Sequence, residues 1–299
     1  AGGTRILELS GSGDFLVTPN GLAGSFALNL VQGPALPDLG LAGSFRLEVN
    51  TTAASVVFGT TTIAAGPYLR VTVQSATVTV LGNAITADLF QMEKSGTGAN
   101  STIKVVASGI GLRLAAGTAS LTVSDGSGAF LINSAGIAGR VQVPTVILSG
   151  VPGVGLEASG LTIELNTTGA DVGPMVIATA GGSVTLSYSG AGNRHFVRIA
   201  GTASIDLDGF LKLSGGLAFE RGTIAGGGAV VRGSVTNLNG VLGTGAGTAA
   251  EAGLRVSGLN GAFLMLPAGV ALDASGTAEL VGITGAQVSG TVAVRVNTT

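Results

Sequence analysis

The chain has 299 residues, no cysteine, a net charge of −2, 45% hydrophobic and only 10% charged residues, and 52 glycines. Globular chains carry about 25% charged residues and about 7% glycine, so small neutral residues occupy positions that charges usually fill. This balance excludes disulfides and thiolate chemistry, gives no electrostatic footprint for nucleic acid, and is too apolar for a disordered chain.

No run of about 18 apolar residues free of Gly, Ser, Thr and charge is present, so no membrane-inserted helix is expected. No charged-then-apolar signal segment opens the chain, and Ala1-Gly2-Gly3-Thr4 reads as a cut through a longer polypeptide. A Cys-free, Lys-poor chain rich in Gly, Ala and Thr is associated by composition with bacterial secreted and surface proteins.

In chain order, the first anchor is Gly13-Asp14-Phe15-Leu16. It returns as Gly128-Ala129-Phe130-Leu131 and Gly261-Ala262-Phe263-Leu264. A strand-like lead-in precedes each, beginning with Arg5-Ile6-Leu7-Glu8-Leu9-Ser10, and a Gly-bearing turn follows each: Pro19-Asn20-Gly21, Ser134-Ala135-Gly136 and Pro267-Ala268-Gly269. The second anchor is Leu47-Glu48-Val49-Asn50-Thr51-Thr52, which returns as Ile163-Glu164-Leu165-Asn166-Thr167-Thr168 and Val294-Arg295-Val296-Asn297-Thr298-Thr299. Phe-to-Phe separations are 115 and 133 residues; Asn-to-Asn separations are 116 and 131. Two anchors with nearly the same period imply a module. The expected organisation is residues 1–10 as the end of a preceding repeat, 11–125 as module 1, 126–257 as module 2 and 258–299 as the start of a third. Two further segments align: Pro67-Tyr68-Leu69-Arg70-Val71 with His195-Phe196-Val197-Arg198-Ile199, and Ala87-Asp88-Leu89-Phe90 with Gly216-Leu217-Ala218-Phe219.

Hydrophobicity alternates with a period of two, as in Tyr68–Val80 and Ser204–Leu213, which predicts strands with one apolar and one small-polar face. No stripe of helical period appears. Asn20-Gly21, Gly82-Asn83, Asp125-Gly126 and Asp208-Gly209 predict tight turns with positive φ. Asn50, Asn166 and Asn297 each end a strand, where Asn tolerates the left-handed conformation and Thr caps the turn.

The fold class is therefore all-β. A β-solenoid-like elongated stack is favoured by spaced glycines and by the echo of Leu22-Ala23-Gly24-Ser25-Phe26 in Leu41-Ala42-Gly43-Ser44-Phe45, 19 residues on. An antiparallel meander or tandem β-sandwich array is the alternative, because two-residue turns make hairpins. In either layout each repeat buries its apolar face against the next, and uncharged strand edges favour self-association into filaments. Lys, the usual edge protector, occurs only at Lys94, Lys104 and Lys212.

Candidate chemistry reads as structure at each position. His195 lacks a motif, and its counterpart is Pro67. Asp206-Leu207-Asp208-Gly209 lacks the further oxygen ligands of a calcium loop and reads as a hairpin turn. Glu8, Glu48, Glu164 and Asp206 are scattered on alternating positions, the expected solvent face, rather than clustered for glycoside cleavage. Gly226-Gly227-Gly228 and Gly243-Thr244-Gly245-Ala246-Gly247 lack the setting of a phosphate cradle and read as flexible loop. Thr60-Thr61-Thr62 forms no ice-binding ladder, and Asn100-Ser101-Thr102 is an incidental glycosylation pattern. Arg46, Arg70, Arg198 and Arg295 recur on strands, where Glu48 or Glu164 offer cross-strand partners. No catalytic, cofactor or metal residue is assigned, and no enzyme activity is expected.

Leu47-Glu48-Val49-Asn50-Thr51-Thr52 and Ala65-Gly66-Pro67-Tyr68-Leu69-Arg70-Val71, in a repeat rich in Gly, Ala, Thr and Val, resemble modules of very large repetitive bacterial cell-surface proteins. The resemblance implies a secreted or surface-exposed stalk, adhesin or filament whose partners are other copies of itself and surface glycans. It implies no catalytic residue. The alternatives are a carbohydrate-binding or carbohydrate-processing β-solenoid and a calcium-dependent adhesin module, although the calcium-ligand patterns frequent in such proteins are missing.

Overall fold

The computed structural model describes residues 8–32, 39–80, 83–179, 182–223 and 228–299. Arg5–Leu7 of the first lead-in, Gly82 of one expected turn, and Gly226-Gly227 lie outside them. The strands in chain order are β1 Glu8–Thr18, β2 Gly21–Gln32, β3 Leu39–Asn50, β4 Val56–Phe58, β5 Thr61–Ile63, β6 Tyr68–Val80, β7 Asn83–Ser95, β8 Thr102–Ala116, β9 Ala119–Asn133 and β10 Gly136–Ser149. They continue as β11 Val154–Asn166, β12 Val172–Thr179, β13 Gly182–Tyr188, β14 Phe196–Leu207, β15 Leu211–Thr223, β16 Ala229–Thr244, β17 Ala252–Leu266, β18 Gly269–Val281 and β19 Ser289–Asn297. Among the described residues the only helical pieces are one-turn segments at Gly98–Asn100 and Ala191–Asn193, and no helix is long and apolar enough to cross a membrane.

The fold is all-β, and its pairing is an antiparallel meander. One sheet takes the strands in chain order, with β4–β5 and β12–β13 set aside as separate hairpins. This corrects the favoured solenoid. The Leu22–Phe26 and Leu41–Phe45 echoes are not stacked coils: they lie on antiparallel neighbours, with Leu28 opposite Phe45 and Phe26 opposite Leu47. The physical reason is turn length. Connections such as Pro19-Asn20 and Asp208-Gly209-Phe210 are too short for the crossover that a parallel pair needs.

The chain divides into two compact units. Unit 1 comprises residues 1–114, 124–141 and 166–188. In it β1, β2, β3, β6, β7 and β8 pair successively. Buried positions include Ala23, Val73, Val106, Ala129 and Ala138. The hairpin β12–β13 buries one face, Val172, Ile177, Val184, Leu186 and Tyr188, and exposes Ser183, Thr185 and Ser187 between them. That alternation is the half-buried strand pattern.

Unit 2 comprises residues 115–123, 142–165 and 189–299, in which β14 to β19 pair successively. Phe263 lies opposite Gly233 on one side and Leu272 on the other. The Phe263 ring occupies the space a Gly233 side chain would need. Phe130 fills the space above Gly139 in unit 1 in the same way. Glycine beside the recurring phenylalanine thus makes room for the ring.

Not every Asp-Gly step is a turn. Asp208 (φ 52°) and Gly209 (φ 66°) make the expected hairpin between β14 and β15. Asp125 (φ 56°) lies inside β9, as Ser75 (φ 51°) lies inside β6 and Asn237 (φ 48°) inside β16. Pairing shifts register next to Ser75 and Asn237, so these left-handed residues mark bulges that re-aim a strand without ending it.

Candidate functional site: the Asn-Thr-Thr clasp and its charge ladder

The three Asn-Thr-Thr phrases adopt one hydrogen-bond pattern. In each, the first threonine docks onto the residue after the hairpin glycine of the neighbouring strand. Thr51 N–H donates to Leu22 O at 2.7 Å, Thr167 to Ile137 O at 2.8 Å, and Thr298 to Val270 O at 2.9 Å. Its hydroxyl oxygen accepts from the N–H of that same residue, at 2.8 Å for Leu22 and 2.9 Å for Ile137 and Val270. The hydroxyl also donates back to the carbonyl, at 3.1 to 3.2 Å. The glycines pressed against the threonine, Gly21, Gly136 and Gly269, have φ of 134°, 149° and 148°. A Cβ at Gly136 would stand 2.7 Å from Thr167 O and Oγ1. Glycine is required there by both backbone conformation and contact.

The asparagine carries the second half of the clasp. Asn50 Oδ1 accepts from Thr52 N–H at 2.8 Å and Thr52 Oγ1–H at 2.7 Å. Asn166 repeats this with Thr168 at 3.0 and 2.8 Å, and Asn297 with Thr299 at 3.1 and 2.8 Å. Asn50 Nδ2 donates to Ala54 O and Ala64 O, both at 2.8 Å, fastening the two ends of the excursion that contains β4–β5. Asn166 Nδ2 donates to Ala170 O at 2.9 Å. Asn50 and Asn166 are fully buried. None of the three asparagines has positive φ. The expected left-handed strand end is therefore corrected: the amide side chain, not the backbone conformation, is what the position selects.

Two residues before the asparagine begins a ladder of alternating charge. In unit 1, Glu48 (β3), Arg70 (β6), Glu93 (β7) and Lys104 (β8) occupy one cross-strand row. Arg70 bridges Glu48 at 3.1 Å and Glu93 at 3.0 Å, and Lys104 reaches Glu93 at 3.4 Å. Glu48 is only 3% exposed, so its expected place on the solvent face is corrected; its carboxylate lies against the Arg70 guanidinium. Tyr68 donates to Glu93 at 3.0 Å, and Arg70 lies over the Tyr68 ring at 5.4 Å. Burial pushes the Tyr68 hydroxyl pKa far above its ordinary value, with the Glu93 carboxylate adding to the rise and Arg70 opposing it. Burial alone would raise the Glu93 carboxyl; hydrogen bonds from Arg70 and Tyr68 and the charge of Lys104 outweigh it and hold it low.

Unit 2 has the same ladder. Arg198 bridges Glu164 at 3.3 Å and Glu220 at 2.6 Å, Arg232 reaches Glu220 at 3.3 Å, and Arg198 lies 4.9 Å over the buried Phe196 ring. Arg295 pairs with Asp273 at 3.3 Å. The expected cross-strand partners of Arg70 and Arg198 are thus present. Glu93, Glu220 and Arg232 were not singled out in the sequence, and Lys104 only as one of three scarce lysines, although each faces its partner on the adjacent strand. The ladder also corrects the alignment of Phe90 with Phe219. Arg70 lies opposite Glu93 and Arg198 opposite Glu220, so Met92-Glu93 occupies the place of Phe219-Glu220.

The other candidates are dispersed. His195 is exposed. Asp206 Oδ1 accepts from Gly209 N–H at 2.9 Å, closing the hairpin. Among the described residues no three His, Asp or Glu side chains group as metal ligands. The Gly243–Gly247 run, expected as flexible loop, divides: Gly243 and Thr244 end β16, and a hydrogen-bonded turn begins at Gly245, whose carbonyl accepts from Thr248, while Gly247 N–H donates to Glu251 at 3.0 Å.

Compared with protein-family models, with curated proteins and with solved structures, the chain matches none.

Proposed function

We propose that the chain is a structural repeat segment of a secreted or cell-surface bacterial fibre, stalk or adhesin. Successive modules add strands to one antiparallel meander, and copies associate through strand edges. Other copies of the chain are its principal partner, with surface glycans as a further one.

The observation that carries this reading is the Asn-Thr-Thr clasp, formed three times with one hydrogen-bond geometry. A group that recurs to fasten a strand end to its neighbour serves the backbone, and a catalytic group has no reason to recur this way. Large apolar side chains support association. Phe15 and Val17 on β1 are 65% and 68% exposed, and Val292, Val294 and Val296 on β19 are each more than 40% exposed. The outer rims of these two strands have no partner strand among the described residues, and such edges template pairing with another chain.

The test is electron microscopy of the purified chain over a concentration series. Rods or filaments that lengthen with concentration are expected. Uniform globular particles at every concentration would overturn the proposal.

A further inference from the structure

The hairpin β12–β13 has a seat in unit 1, and unit 2 presents the same seat open. In unit 1 the hairpin follows Asn166 and lies across the ladder face of β7, β8 and β10. Gln91, Glu93, Lys104 and Val106 line a small cavity of about 210 Å³ with Met175 and Ile177. Tyr188 Oη donates to Gly139 O at 2.7 Å. Around that seat Ala129 and Ala138 are 0% exposed and Leu131 is 8% exposed.

The equivalent positions in unit 2 follow from the shared ladder and the shared hairpin glycine. Glu93 and Lys104 correspond to Glu220 and Arg232 by register. Ala129, Leu131 and Ala138 correspond to Ala262, Leu264 and Ala271, counting from Phe130/Phe263 and Gly136/Gly269. All five line a single groove of about 790 Å³ that also reaches Asn297. Its walls are mostly apolar, yet Ala262 is exposed and Leu264 and Ala271 are only half-buried. Asn297, whose Oδ1 makes the same contacts as that of Asn166, is exposed where Asn166 is fully buried.

We infer that the groove on β15–β19 is the seat of a second β-hairpin of the β12–β13 kind. The occupant is amphipathic, with Val, Ile and Leu on its inner strand positions and a tyrosine hydroxyl donating to the β18 carbonyl at Leu272, the counterpart of Gly139. It enters from the Asn-Thr-Thr clasp at Asn297, as β12–β13 enters from Asn166. The argument is continuity with an interface already formed in this chain: the same strands, the same ladder and the same small residues are covered in unit 1 and open in unit 2. This inference rests on the repeat reading above, but its test differs, because a fibre seen in the microscope does not depend on what fills the groove.

The experiment joins a second copy of residues 169–195 directly after Thr299 of the full chain. The extended chain is expected to melt roughly 3–8 °C higher than the parent, with amide exchange at Ala262–Leu264 and Ala271–Leu272 slowed by at least about tenfold. The control carries Leu186→Asp and Tyr188→Phe in the added copy only, leaving the parent fold untouched, and should lose both gains. Equal melting and exchange in the extended chain and its control would overturn the inference. So would protection of the same amides in the parent chain that rises with its concentration, since the groove would then be filled by a second copy.

Discussion

At the residue scale, Asn50 is placed where no other side chain serves. Its oxygen faces donors on Thr52 and its nitrogen faces the carbonyls of Ala54 and Ala64, and Asn50 and Thr52 are themselves buried. Asn50→Ala leaves the buried Thr52 N–H unpaired, at about 1–3 kcal/mol. Asn50→Asp keeps the size but aims a carboxylate at two carbonyls, so it should cost at least as much. Asn297→Ala removes the same Oδ1 contacts at an exposed site, where water replaces them, and its expected cost is a few tenths of a kcal/mol. Urea unfolding of the three variants checks the ranking. Equal effects at Asn50 and Asn297 would show that burial of the clasp contributes nothing. The phrase was visible in the sequence because it recurs. Its mechanism was not, since an Asn that turns through its backbone and an Asn that turns through its amide look alike in one dimension.

At the element scale, the Glu48–Arg70–Glu93–Lys104 ladder ties β3, β6, β7 and β8 together. The Glu93 carboxyl is held below its ordinary value of 4.5. A depressed folded pKa stabilises the fold above the unfolded value, and that contribution fades as pH falls through the folded one. Unit 1 should therefore lose stability progressively as pH drops below about 4.5. Glu93→Gln should destabilise the chain at pH 7 by about 1–2 kcal/mol, because it removes the charge on hydrogen bonds from Arg70 and Tyr68. It should also flatten the acid limb of the melting temperature plotted against pH; an unchanged limb would assign the acid sensitivity to other carboxylates. The strands themselves were legible, since alternation over Tyr68–Val80 and Ser204–Leu213 marks β6 and the β14–β15 hairpin correctly. Alternation carries no direction, however, and tolerates a slip of two residues. That is why parallel coils were favoured over hairpins, and why Phe90 was aligned with Phe219 although Met92 holds that place. Burial of Glu48 was invisible for a further reason: it depends on Arg70, a residue 22 positions away.

At the scale of the whole molecule, the scarcity of charge leaves few repulsive terms between copies. The chain has 14 basic and 16 acidic residues, and Arg70, Lys104, Arg198, Arg232 and Arg295 are committed to cross-strand pairs with carboxylates. One face of β19, the rim strand, is apolar: Val292, Val294 and Val296 are exposed at alternate positions and therefore lie together, with Arg295 on the other face. Natural sheets protect such a rim with lysine, and β19 has none. Val294→Lys places a charge at the middle of that face, opposite Ala274, where the strand's ladder bonds are untouched. The substitution should leave the melting temperature within about 2 °C of the parent, because surface changes away from packed features cost little. Sedimentation velocity should show association displaced to at least about tenfold higher protein concentration. If Val294→Lys associates like the parent at both low and high salt, copies do not meet along β19, and the opposite rim at β1, with Phe15 and Val17 exposed, becomes the contact to alter next.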